Sequence, residues 1–270
     1  MRYPAVAGKF YSSKEKALRE QIEDAFRSPL GPGEVPSLGG SRGRIVGGVV
    51  PHAGYMFSGP VAAHVYGAIA KGGFPETFVI IGPNHHGIGS GVAMTSEDFV
   101  TPLGTCQVDK ELVKRLRGFV DEDPSAHQHE HSVEVQVPFI QYFSREVKFL
   151  PLTMLFQDYE TAKDLGARLR KACQGKDVIV LASSDFSHYV PRHHAERQDR
   201  AVIDRIVALD AQGVEATVTA KDVSMCGYGP VMAMLEAVQG EEAELLKYAT
   251  SGDVHPMQEV VGYAGIVVRR

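Results

Sequence analysis

The sequence predicts an α/β fold, a single three-layer α/β/α domain over residues 1–270 around a central mixed, largely parallel sheet. Two observations carry this reading. The apolar runs Ile45 to Val50, Phe78 to Ile81 and Val178 to Leu181 show no alternation, as strands covered on both faces require. Between them lie stretches with apolar residues at helical spacing, so strands and helices alternate. A chain of 270 residues fits one such domain, and its 44% hydrophobic content supplies a sizeable core.

Taken in order, Ala17, Leu18, Ile22, Ala25 and Phe26 recur at helical spacing and predict an amphipathic first helix. Ser28 to Gly43 is rich in Gly and Pro and reads as an ordered surface loop or flap near a pocket mouth. The strand Ile45–Val50 leads through a Pro51–Gly54 turn to a helix expected from Gly59, with Val61, Ala62, Val65 and Ile69 on one face. After the strand at Phe78, Val92–Met94 and the region from Phe99 to Val108 predict short strands, the latter a hairpin through Pro102 and Gly104. Asp109 is placed to cap a helix carrying Leu112, Val113 and Leu116. A helix from His131, with Val133, Val137 and Ile140 on one side, precedes a second βαβ unit. That unit is the strand Val147–Met154, the helix Tyr159–Cys173 and the strand Val178–Leu181. Helices follow from Asp199 to Leu209, after a capping Asp210, and from Gly229 to Val238. Strands at Leu245–Thr250 and Val261–Val268 close the sheet.

Composition narrows the function classes. A net charge of −5, with Lys and Arg scattered, argues against a nucleic-acid binder. No apolar run approaches the ~20 residues that span a bilayer, so no membrane partner is expected. Met1-Arg2-Tyr3-Pro4 lacks the apolar core of a signal peptide, and three cysteines without motif spacing imply no disulfide framework. A reducing, cytoplasmic setting is the resulting expectation.

The chemistry concentrates where apolar runs end. Pro51-His52-Ala53-Gly54-Tyr55, Gly82-Pro83-Asn84-His85-His86 and Ser183-Ser184-Asp185-Phe186-Ser187-His188 each follow a strand, and His127-Gln128-His129-Glu130-His131 lies between them. Ligands of open α/β sheets sit outside the carboxyl ends of the strands, so these segments should meet at one sheet edge. Imidazole and carboxylate suit Fe, Zn, Cu or Ni, which makes a metal site the leading interpretation. His52 alone could be a hydrogen-bonded turn residue. Of the adjacent pair His85 and His86, one is expected to ligate and the other to support. Glu130 and Glu134, at i and i+4, could share a helix face near the positive dipole end. Asp185 and His188 could form an oriented acid–base pair, or Asp185 could cap the turn with His188 packed behind it.

Cys226 stands in Ser224-Met225-Cys226-Gly227-Tyr228-Gly229-Pro230, before a helix. A helix N-terminus favours the thiolate, and the glycines allow close approach of a ligand or another backbone. Cys106 and Cys173 read as inert.

The ordered motifs Pro51-His52-Ala53-Gly54, Asn84-His85-His86, Glu130-His131-Ser132-Val133-Glu134, Ser184-Asp185-Phe186-Ser187-His188 and Cys226-Gly227, with Ala7-Gly8-Lys9-Phe10-Tyr11, resemble the Memo family over nearly the whole chain. That family includes prokaryotic proteins called AmmeMemoRadiSam system protein B, and its fold is similar to LigB-type class III extradiol dioxygenases, which use non-haem Fe(II). The resemblance implies His52, His85 and Cys226 as metal ligands, with Asp185 and His188 lining the pocket. Fe(II) is then the foremost expected cofactor, with Cu or Zn as alternatives. LigB-type enzymes use two histidines and a glutamate, so Cys226 departs from their pattern and from ordinary ring-cleaving chemistry. Two functions of different class follow. One is an oxidoreductase acting on a small-molecule substrate, with His188 or His131 as acid–base catalyst. The other is a non-catalytic protein- or phosphopeptide-binding module, because a eukaryotic member is described as binding phosphotyrosine peptides. A metal-handling role lies between them.

Overall fold

The apolar runs become strands buried on both faces in a computed structural model that describes residues 1–40 and 43–270. Along the chain the elements are α1 (Glu15–Arg27), β1 (Ile45–Val50), α2 (Tyr55–Lys71), β2 (Thr77–Pro83), β3 (Val92–Met94), β4 (Phe99–Thr101), β5 (Gly104–Cys106), α3 (Lys110–Leu116) and β6 (Asp121–Glu122). Then come 3-10 turns at Pro124–Ala126 and Glu134–Gln136, α4 (Val137–Phe143), β7 (Lys148–Met154), α5 (Tyr159–Ala172), β8 (Val178–Ser183) and β9 (His188–Pro191). The chain continues through α6 (Arg192–Val207), α7 (Ala211–Lys221), α8 (Tyr228–Val238), β10 (Glu242–Thr250), α9 (Ser251–Val254) and β11 (Glu259–Arg269).

The main sheet runs β10-β11-β1-β8-β2-β7-β3-β6. Its centre, β1-β8-β2-β7, is parallel, while β11 joins β1 and β3 joins β7 antiparallel, so the sheet is mixed as expected. Phe78, Val79, Ile80 and Ile81 are wholly buried, and each stabilises the fold by about 1.5–3 kcal/mol relative to exposure. Helices cover both faces. Side chains alternate across a strand, and β1 shows the result: a Cβ on Gly47 would crowd Met234 and Val238 of α8, and one on Gly48 would approach Val65 of α2. The two helix layers can approach β1 this closely because it carries glycine there. Among the described residues, no helix is long and apolar enough to cross a membrane.

Most departures from the sequence reading lie at element ends. α2 begins at Tyr55 rather than Gly59 and takes Pro60 into its interior. α6 begins at Arg192, not Asp199, because its first two turns are polar apart from the buried Ala195 and carry little periodic signal. The helix expected from His131 is a 3-10 turn followed by α4, with Pro138 in the first helical turn. β9, paired with β11, had no apolar run to announce it. The Ser28–Gly43 loop, of which Ser41 and Arg42 lie outside the described residues, contributes none of its described residues to the pocket beside the histidine motifs. The Gly39 N–H donates to the Ala70 carbonyl at 2.7 Å and the Gly43 N–H to the Gly72 carbonyl, at the carboxyl end of α2. That is the helix end remote from the histidine motifs.

Asp109 caps α3 as its position predicted, accepting from the Glu111 and Leu112 N–H groups at 3.0 Å. Its other oxygen accepts from Thr77 Oγ1 at 2.8 Å and Lys176 Nζ at 2.9 Å, tying α3 to the start of β2 and the turn before β8. Asp109→Ala removes the cap and strips Lys176 of its more buried partner. The expected loss is about 2–4 kcal/mol in urea unfolding, and a loss below about 1 kcal/mol would show that the cluster is dispensable.

Candidate metal centre

Because β1, β8 and β2 are adjacent and parallel, the residues just beyond their carboxyl ends share one edge. His52 follows β1, Asp185 follows β8 and His85 follows β2. Cys226 reaches the same place from the turn before α8, and two glycines make the approach feasible. A Cβ on Gly227 would stand 2.5 Å from the Ser183 carbonyl oxygen, and one on Gly229 would stand 2.7 Å from the Gln157 side chain. Their N–H groups instead donate to Ser184 Oγ at 2.9 Å and Gln157 Oε1 at 3.0 Å, while Gln157 Nε2 donates to the Cys226 carbonyl at 2.9 Å.

The ligand atoms of His52, His85 and Cys226 all lie within 4.8 Å of one another. Cys226 Sγ is 3.2 Å from His52 Nε2. Bonds of about 2.0–2.3 Å to nitrogen and sulfur put neighbouring ligands about 3.1–3.5 Å apart, so this pair already has coordination spacing. Two imidazoles and a thiol suit a borderline or soft transition metal, and the donor set fits the implied group. A second trio, His85, Glu130 and His131, is equally close but already engaged. Glu130 Oε1 accepts from His85 Nδ1 at 2.9 Å and from the N–H groups of His131 and Ser132 at 2.9 and 2.8 Å. Glu130 Oε2 accepts the His85 N–H at 2.6 Å. This carboxylate orients His85 from behind, as partners of metal-bound histidines do.

Electrostatics follow from burial and these contacts. Burial would raise the Glu130 carboxyl, but the hydrogen bond and charge of His85 and the nearby His131 hold it well below the ordinary carboxylate range. Burial pushes the His52 imidazole down, with His131 and His85 adding to it. Burial lowers His131 to about 4 and raises Asp185 to about 6, the latter against the His52 N–H, which donates to Asp185 Oδ1 at 2.8 Å. Cys226 corrects the sequence reading. Burial, reinforced by the Asp185 charge, raises the thiol far above its usual value, so without an ion desolvation outweighs the helix terminus.

The other histidines separate clearly. The His131 ring stacks on His85 at 4.5 Å and meets Phe10 edge-on at 4.8 Å. His188 anchors to Ser224 through its N–H and its Nδ1, at 2.7 and 2.8 Å, and makes no bond to Asp185. His86 and His129 are exposed, and His127 is buried apart from the cluster. Glu130 and Glu134 do not share a helix face, because the backbone before Glu134 is not helical. The Glu134 carboxylate instead pairs with the Arg2 guanidinium and accepts from the Ala5 and Val6 N–H groups at 2.8 and 3.1 Å and Tyr11 OH at 2.6 Å. Arg2 also donates to the His127 and Glu130 carbonyls at 3.1 and 2.7 Å. Sequence reasoning missed Arg2, whose partners lie more than a hundred residues away, and Asp199. Asp199 accepts from the Ser187 N–H and Oγ at 3.0 and 2.6 Å and so fixes the Asp185–His188 loop.

The cluster opens onto a pocket of about 500 Å³ lined by His52, His85, His131, Asp185 and His188 together with Phe10, Phe57, Tyr189, Met257 and Tyr263. None of its described lining residues is Lys or Arg. A larger cavity of about 610 Å³ lies between α5, α8 and the amino ends of β1 and β8, away from these motifs. Its Arg170 and Arg270 donate to the Glu236 and Val238 carbonyls near the end of α8, so their charge is spent on closing that helix.

Comparison with known proteins agrees with the motifs. The family model described as Memo-like protein matches residues 2–267. A MEMO1 family protein of Methanopyrus kandleri is 48% identical, covering 100% of this chain and 99% of that protein. One of Methanothermobacter thermautotrophicus is also 48% identical, over 98% of this chain and 99% of its own length. The crystal structure of an uncharacterized protein from Escherichia coli K12 aligns with a TM-score of 0.51, covering 83% of this chain and 100% of that one. At 13% identity, that likeness speaks for the fold alone.

Glu134→Ala would leave Arg2 charged, buried and without its carboxylate, and would orphan the Ala5 and Val6 N–H groups. We expect a loss of about 3–5 kcal/mol in denaturant unfolding. Arg2→Met combined with Glu134→Leu should recover part of it, since removing both charges leaves neither uncompensated. A single variant as stable as the parent would refute the assignment.

Proposed function

The chain belongs to the Memo family, and on that premise we propose that it binds one transition-metal ion and, with iron or copper in place, acts as a dioxygenase-like oxidoreductase on a small molecule. The observation that carries this is the convergence of His52, His85 and Cys226 beside a pocket that sets Phe10, Phe57 and Met257 against the polar groups of His131, Asp185 and His188. Fe(II) is the foremost candidate, with Cu or Zn as alternatives, since imidazole suits all three and the thiolate favours the softer ones. The scaffold is one layered domain spanning the chain.

A metal held by three protein ligands would supply Lewis acidity and oxygen chemistry on the face left open toward the pocket. The chain's own groups would handle binding and protons. His188 donates through Nδ1 to the Ser224 carbonyl, which can only accept, so Nε2 is left able to take a substrate proton. Asp185, raised to about 6, can exchange a proton near neutral pH, and His131 forms the wall against His85. Phe10, Phe57 and Tyr263 favour an apolar or aromatic body and keep water sparse. A phosphopeptide-binding role gains no support from a pocket whose described lining has no Lys or Arg to pair with phosphate.

The test is metal content after anaerobic purification, followed by oxygen uptake with catechols and thiols. Cys226→Ser should lose most of its metal, at least tenfold in affinity, because a neutral hydroxyl is a poor donor to such ions. Cys106→Ser and Cys173→Ser should match the parent, since those thiols lie in β5 and at the end of α5. Full occupancy in Cys226→Ser would remove the thiolate from the site. Metal binding without oxygen uptake would favour a metal-handling role.

A further inference from the structure

Ser183 closes β8 directly behind the His52 ring and is wholly buried. Its hydroxyl has one hydrogen to give and two lone pairs. Three groups are within reach: the Ser132 carbonyl at 2.7 Å, Gln136 Nε2 at 2.9 Å and His52 Nδ1 at 2.9 Å. The Ser132 carbonyl can only accept, so it takes the hydroxyl hydrogen. The Gln136 amide is fixed by its other contacts. Its Nε2 lies 3.0 Å from the Pro51 carbonyl, another obligate acceptor, and its Oε1 accepts from Tyr66 OH at 2.9 Å. Gln136 therefore donates to Ser183, and the hydroxyl has only a lone pair left for His52. Whatever happens at Nε2, the Nδ1 atom must carry a hydrogen.

We propose that Ser183 is a positioning residue that holds His52 in its Nδ1–H form, so that Nε2 presents its lone pair beside Cys226 Sγ. Gln136 and Ser132 enforce this by leaving Ser183 nothing to donate. Removing Ser183 would free the ring to carry its hydrogen on Nε2, where it would block the ligating lone pair. The consequence for metal affinity rests on the proposed metal site, whereas the state of the ring does not.

The two parts can be read separately. Long-range proton–nitrogen correlation spectra of the metal-free, 15N-labelled wild-type chain should show His52 Nδ1 protonated and Nε2 bare. Ser183→Ala should shift the ring toward Nε2–H and weaken Zn²⁺ binding about 10- to 100-fold, zinc being a spectroscopically silent probe of the site. A wild-type His52 protonated on Nε2 would overturn the proposal even if the variant failed to fold. An altered ring with unchanged zinc affinity would overturn the positioning role. If the wild-type chain bound no zinc, copper or iron yet kept Nδ1–H, the metal reading would fall and the assignment of the ring would stand.

Discussion

Everything at this site depends on β8 lying between β1 and β2. Strands 1 and 2 are consecutive in the chain but not neighbours in the sheet, since β8 lies between them. α2 carries the chain from β1 to β2 along one face, and α5 carries it from β7 to β8 along the other. Three parallel strands that end together but come from distant parts of the chain can therefore present His52, Asp185 and His85 side by side. A hairpin sheet would have set such residues on alternate edges.

What surrounds that edge is an accounting of polar groups removed from water. Leaving a buried donor or acceptor unmatched costs about 1–3 kcal/mol, more for a charge, so the groups are joined in chains. Glu130 takes four N–H donors from His85, His131 and Ser132, Glu134 gathers Arg2 and the N-terminal backbone, and Asp199 holds Ser187. The first two chains share a link, because Arg2 donates to the Glu130 carbonyl. Phe10 extends it, packing against His131 while its carbonyl accepts the first N–H of α2. The N-terminal segment thus braces the wall of the pocket as well as the fold.

How much of this could be read from the sequence follows from the range of each interaction. The buried strands were legible because both-face burial leaves an uninterrupted apolar run, and Asp109 and Asp210 were legible as caps because capping is local. His52, His85, Asp185 and Cys226 could be placed together from strand-end logic and motif resemblance. The roles of Glu130 and Glu134 could not, since their spacing suits a helix and only the tertiary fold denies them one. β9 had no apolar run to mark it, and the start of α6 was hidden by the largely polar run from Arg192 to Gln198, whose stability comes from packing rather than pattern.

Cys226 shows how a local rule can fail on charge state while the residue still lies beside the histidine cluster. The start of α8 offers partial positive charge, yet the thiol is buried beside the Asp185 carboxyl, and burial favours the neutral form. Its neighbours are arranged for either state. The Asp185 N–H points at Sγ from 3.3 Å, a donor suited to a thiolate, while the Asp185 carbonyl at 3.5 Å and His52 Nε2 at 3.2 Å can accept from a thiol. A cation bound between Cys226 and the two histidines would supply the charge that the helix cannot, and would release the thiol proton as it did so. The same burial that disfavours the free thiolate would then strengthen its bond to the ion, because charges attract more strongly where screening is weak.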